Sequence, residues 1–170
     1  MSTFIALLRA VNVGGTGKLP MTELKSMCEA AGFASVKTYI ASGNVVFDSD
    51  KPGAKVKAAL EAALLAYAGK PVQVLVRTAP ELAKVLAANP FPDKAPNRTV
   101  AIFLDQAPPA DTLATLTGKK EEEIVLGARE IYVHYGAGMA DSKLKMRAAS
   151  EGTARNINTI AKLVEMSSGR

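Results

Sequence analysis

The chain has 170 residues, 48% apolar, 22% charged and 5% aromatic, with 21 Lys and Arg against 16 Asp and Glu for a net charge of +5. Folding would bury about 69% of the surface of a chain this size, enough for one compact domain or two merged halves. The composition excludes collagen, a long disordered tail and a disulfide scaffold, since Cys28 stands alone, and no stretch approaches the roughly 18 apolar residues of a membrane span.

Thr3 to Arg9 is a short apolar run that reads as a buried strand, with no basic region before it to suggest a signal peptide. A loop bearing Asn12, Gly14, Gly15, Gly17 and Lys18 follows, and Pro20 suits the first turn of a helix. Met21, Leu24, Met27, Cys28 and Ala31 fall at helical spacing up to a stop at Gly32. Strands are expected over 36–41 and 45–48, joined by the hairpin signal Ser42-Gly43-Asn44. After Pro52-Gly53, a second helix carries Val56, Leu60, Ala63, Leu64 and Tyr67 on its apolar face, and a strand over 72–77 completes β-α-β-β-α-β.

A short helix over 80–89 leads to Pro90, Pro92 and Pro96, three prolines in seven residues that suit a connector and neither a helix nor a central strand. Beyond it come a strand over 99–104, a helix over 109–116, a hairpin of 123–126 with 130–135, and helices over 142–149 and 154–166. The string β-α-β-β-α thus recurs, with a terminal helix in place of the last strand. The fold expected is α+β: two consecutive ferredoxin-like, split β-α-β halves with antiparallel sheets and a C-terminal helix. Its divisions are an N-terminal half over 1–88, a Pro-rich connector over 89–98 and a C-terminal half over 99–170. One mixed sheet with helices on both faces is the alternative.

Three segments, Phe4 to Gly15, Thr38 to Phe47 and Thr153 to Thr159, jointly resemble a bacterial family known as domain of unknown function 1697, in order and at similar spacing. The resemblance implies a pair of ferredoxin-like halves and a bacterial cytosolic protein, and it transfers no reaction. Ala10 stands where that family usually has glycine. Ile157 stands where it usually has tryptophan, which removes an obvious stacking platform.

The charge is uneven: residues 1–78 carry nine basic and five acidic side chains, residues 79–142 six and nine, and residues 143–170 six and two. Both basic ends suit attraction of phosphate or carboxylate. Asn12 to Leu19 is close to a phosphate loop, but Asn12 replaces its first glycine and Leu19 its metal-binding hydroxyl, so a nucleotide-hydrolysing site does not fit. Glycines followed by a helix N-terminus still offer N–H groups to an anion. Thr153 is expected to cap the terminal helix, with Arg155, Asn158, Thr159 and Lys162 along one polar stripe opposite Ile157, Ile160, Ala161 and Val164.

Ser42 and Asn44 read first as a turn. They are expected at the far end of the sheet from the first loop, outside any shared site unless the second half folds over them. Cys28 reads as inert core, and a single His134 cannot build a zinc site. Glu121, Glu122 and Glu123 read as a solvated turn.

The function these residues point to is binding of an anionic or nucleotide-like ligand, nucleic acid included, through the first loop and the terminal helix. Arg9, Lys18 and Arg155 would supply charge, and Asn12, Asn156 and Asn158 directional hydrogen bonds. The Gly14–Gly15 backbone would cradle the ligand. No cofactor, metal or membrane partner is expected. The alternatives are an enzyme acting on a phosphorylated or carboxylated small molecule at the same place, and a protein-interaction module.

Overall fold

The computed structural model describes residues 1–9, 18–136, 139 and 142–168. The chain forms two antiparallel four-stranded sheets with the same strand order. It divides into two compact units, Met1–Ala83 with Leu163–Arg170, and Lys84–Lys162.

The first sheet contains β1 (Ser2–Leu8), β2 (Ala34–Tyr39), β3 (Asn44–Ser49) and β4 (Val74–Thr78) in the order β2-β3-β1-β4. Helices α1 (Met21–Ala30) and α2 (Gly53–Ala68) cover one face. Alternation decides which side chains meet them: Phe4, Ala6 and Leu8 of β1 and Val45 and Phe47 of β3 pack against Leu24, Cys28, Val56, Leu60 and Leu64. Phe33 and Phe47 stack with ring centroids 4.3 Å apart. The intervening residues Ile5, Leu7, Val46 and Leu75 are also buried, so β1 reads as a continuous apolar run. Gly69 ends α2 in the left-handed conformation, φ 73°, where its N–H reaches the Leu65 carbonyl. Tyr67, expected on the apolar face of this helix, is 46% exposed in its last turn. Helix α3 (Ala79–Ala87) follows β4, opened by a reciprocal cap. The Thr78 N–H donates to Glu81 Oε1 at 2.8 Å, and the Glu81 N–H to Thr78 Oγ1 at 3.3 Å.

The second sheet contains β5 (Thr99–Phe103), β6 (Glu123–Leu126), β7 (Glu130–His134) and β8 (Thr153–Asn156) in the order β6-β7-β5-β8. Val100, Ile102, Leu104, Ile131, Val133 and Met146 form its core. Helix α4 (Thr112–Thr115) is a single turn, shorter than the expected 109–116. The terminal region departs further from expectation. Residues 142–149 form no α-helix: Arg147–Glu151 is a 3-10 turn, and Lys145 bridges to Thr117.

The helix expected from residue 154 is also corrected, because Thr153–Asn156 is the missing fourth strand, paired with β5 from Phe103↔Thr153 to Val100↔Asn156. Burial there alternates with period two, Thr153 and Arg155 inside and Ala154 outside, a pattern too short to distinguish from a helix start by sequence alone. Helix α5 begins at Ile157 and ends at Ser167, capped by Asn156 rather than Thr153: Asn156 Oδ1 accepts the Thr159 N–H at 2.9 Å. The polar stripe expected there dissolves accordingly. Thr159 is buried with Ile157, Ile160 and Leu163, Ala161 is exposed, and Arg155 lies on the strand.

Candidate functional site

Arg9 and Lys18, the two described residues of the first loop expected to carry charge, stand at the end of the first sheet where β1 exits. Strand β1 runs antiparallel to β3 and β4, and Leu7 pairs with Asn44 and Leu8 with Val74. The start of β3 and the start of β4 therefore flank the last residues of β1. Two backbone bonds fix this junction: the Leu8 N–H donates to Gly43 O and the Arg9 N–H to Gln73 O, both at 2.9 Å. Helix α1 connects this end to the opposite one, so its N-terminus and the preceding Lys18 lie at the same end. Arg9 is half-buried and Lys18 exposed, while Leu19 is anchored in the core.

This arrangement corrects the expectation that Ser42 and Asn44 sit at the far end of the sheet. Because α1 returns the chain before β2 begins, β2 runs parallel to β1, and the hairpin after β2 closes beside the exit of β1. The turn is held from within. Asn44 is fully buried, and its Nδ2 donates to Tyr39 O at 2.8 Å and Ser42 Oγ at 2.9 Å. Gly43 adopts φ 89°, a left-handed conformation that glycine takes without strain. Asn44 is therefore a scaffold for this end, and its amide is engaged inside the turn.

Of the residues expected in the site, Arg9 and Lys18 stand at this end of the first unit. Asn12, Gly14 and Gly15 lie outside the described residues. Arg155, Asn156 and Asn158 belong to the second unit. Arg155 is 8% exposed on β8, its Nη1 donates to Ala154 O at 2.9 Å, and burial pulls its guanidinium down to about 10. Asn156 caps α5, and Asn158 is exposed in its first turn.

Other groups weighed in the sequence prove structural. Cys28 is fully buried, and burial with a smaller contribution from Glu29 pushes its thiol up to about 12. Thr99 Oγ1 donates to Ala95 O at 3.0 Å and also meets His134 Nδ1 at 2.9 Å. With the hydroxyl hydrogen used, the ring nitrogen supplies the second one, and the Phe91 ring lies 5.9 Å away. His134 is thus a satisfied core histidine.

Glu122 differs from the solvated residue expected. It is 5% exposed, it accepts bonds from the Ser142 hydroxyl and the Lys120 N–H, and these bonds hold its carboxyl below its ordinary pKa. Among the described residues no group of three or more acidic, His or Cys side chains is placed to hold a metal, and no helix is long and apolar enough to cross a membrane.

Sequence reasoning missed Ile40, Gln73 and Arg77. Ile40 was expected inside a strand, and only its place ahead of Ser42-Gly43 hints at a turn. Arg77 is 2% exposed on β4, at the position that Arg155 holds on β8. The periodicity of β4 alone does not mark it as buried.

No curated protein matches the chain. Among solved structures it is similar to the conserved bacterial protein SP0830 from Streptococcus pneumoniae, with a TM-score of 0.81, 23% identity and 98% of each chain covered, a likeness of fold. The model of the family described as protein of unknown function (DUF1697) matches residues 1–132, which include β1, the Ser42-Gly43-Asn44 turn and both connections to the Arg9 junction. The chain belongs to this family.

Proposed function

We propose that the chain binds an anionic or nucleotide-like small molecule at the β1 exit of the first sheet. Arg9 and Lys18 supply the charge. Asn12, Gly14 and Gly15, which lie between them in the chain, supply an amide and backbone N–H groups. The observation that carries this reading is the double pinning of the junction, Leu8 N–H to Gly43 O and Arg9 N–H to Gln73 O. It fixes the backbone of a cationic residue at the end from which α1 starts, with Gly14, Gly15 and Gly17 following in the sequence. A cationic residue whose backbone is already fixed meets an anion at a lower ordering cost, and preorganisation of this kind favours affinity. The lone, buried Cys28 fits a reducing compartment, and we place the protein in the bacterial cytoplasm.

The test is a thermal-shift screen of the whole chain against nucleotides, sugar phosphates and short RNA. A ligand specific to the native state raises the melting temperature by mass action. A shift with phosphate-bearing small molecules that Arg9→Ala abolishes supports the reading. A response confined to RNA with steep salt dependence would move it to nucleic acid. No shift with any anion would overturn it.

A further inference from the structure

Ile40 sits in the β2–β3 turn with φ 51°, and 49% of its surface is exposed. A β-branched residue in the left-handed region crowds its own Cβ against the backbone, at a cost of about 1–3 kcal/mol. Gly, Asn or Asp would take the same conformation with less strain. Burial does not repay the strain, because half of the side chain remains in solvent.

The conformation is nevertheless held in place. Asn44 bonds to Tyr39 O and Ser42 Oγ on the inside of the turn, and the Gly43 N–H reaches Ile40 O at 3.4 Å. The Gly43 carbonyl in turn accepts the Leu8 N–H, next in the chain to Arg9. A strained apolar side chain is thus fixed in solvent two hydrogen bonds away from the residue that precedes the cation.

We infer that Ile40 is a specificity-determining contact: it receives the apolar or ring-bearing body of a ligand whose charged end lies at Arg9 and Lys18. The inference rests on the anion-binding reading above and adds the ligand class, an anion joined to an apolar ring. Strain kept at an exposed position is consistent with a contact that serves a ligand rather than the fold. The residues around it in the turn, Tyr39, Ala41, Ser42 and Gly43, carry no formal charge.

Adenosine 5′-monophosphate and ribose 5-phosphate separate the two claims, because they share a phosphate and differ in the base. By calorimetric titration, the wild-type chain is expected to prefer the nucleotide roughly tenfold, the scale of one good apolar contact. Ile40→Asn, which suits the left-handed backbone and keeps the chain folded, is expected to lose most of that preference while binding ribose 5-phosphate as before. Ile40→Val is expected to retain the preference. A wild-type chain that binds both equally, or an Ile40→Asn variant that still discriminates, would overturn the role of Ile40 and leave the anion site standing. Binding of neither probe would remove the anion site and this inference with it.

Discussion

Arg77 and Arg155 occupy equivalent register positions on the fourth strands of the two sheets, and each donates from Nη1 to the carbonyl of the residue before it, Val76 at 3.1 Å and Ala154 at 2.9 Å. Arg77 pairs with Ile5 at the middle of β1, and Arg155 with Ala101 at the middle of β5. The parity of each ladder gives the bonds a common meaning. The Arg9 N–H reaches Gln73 O, so Gln73, Leu75 and Arg77 turn their backbone groups toward β1 and Val76 turns its own outward. The Leu104 N–H reaches Arg129 O, so β5 faces β7 at Leu104, Ile102 and Val100 and faces β8 at Phe103 and Ala101, which leaves Ala154 outward. In both halves a buried guanidinium therefore covers an outward carbonyl of an edge strand, a group that would otherwise invite pairing with another chain. On β4 the covering extends to Val74, whose N–H donates to Glu61 Oε2 at 3.0 Å and whose carbonyl accepts the Lys57 ammonium.

Arg77→Ala and Arg155→Ala are each expected to destabilise the chain by about 2–4 kcal/mol, from lost packing and an uncovered carbonyl. Urea unfolding measures this as a lower midpoint at nearly unchanged slope. A loss below about 0.5 kcal/mol for either variant would show that its guanidinium is dispensable to the edge.

Asn44→Ala removes both bonds that hold the Tyr39–Asn44 turn, to the half-buried Tyr39 carbonyl and the exposed Ser42 hydroxyl, and empties a fully buried side-chain position. About 2 kcal/mol of stability is expected to go with them. Asn156→Ala removes one helix cap and is expected to cost about 1 kcal/mol. The order of the two losses in the same urea measurement is the check, since a larger loss at Asn156 would contradict the scaffold role of Asn44.

Much of this fold is legible in the sequence, for identifiable reasons. Pro20, Gly32 and Gly69 bracket helices whose apolar spacing is regular, and the apolar runs of β1 and β3 are long enough to read as strands. The terminal strand is not legible. Thr153–Asn156 has four residues, and the motif that follows it, Ile157-Asn158-Thr159, continues a helical pattern backward across it. Only the unfilled edge of β5 distinguishes the two outcomes, and that is a property of the assembled sheet.

The candidate site shows the same limit. The charges of Arg9 and Lys18 are visible in the sequence. The place of the Ser42-Gly43-Asn44 turn beside them depends on the direction of β2, and the left-handed Ile40 on a side chain, Asn44, four residues away.

Alkaline stability offers a third check. The folded state raises the Cys28 thiol from 9.0 to about 12 and the Tyr132 phenol from 10.0 to about 12. Burial is the main cause in each case, and Tyr132 also feels Glu130. Stability tied to a raised pKa is fully present below the unfolded value and is lost as pH climbs through the folded one. Arg155, lowered from 12.5 to about 10, acts in the opposite sense, but only above pH 10. Between pH 9 and 10 the thiol acts ahead of both, so stability is expected to fall there in the wild-type chain and to stay flatter in Cys28→Ala. Native Cys28 should also resist a thiol reagent at pH 8 and react promptly in denaturant. Rapid native labelling would place this helix face in solvent.

The most direct measurement of the central claim is a calorimetric titration of ribose 5-phosphate into the wild-type chain, Arg9→Ala and Lys18→Ala at low and moderate salt. The expected result is saturable binding by the wild type, weakened roughly tenfold or more in each variant and further by salt, with melting temperatures within a few degrees of one another. Equal binding by all three chains would contradict an anion site at the exit of β1.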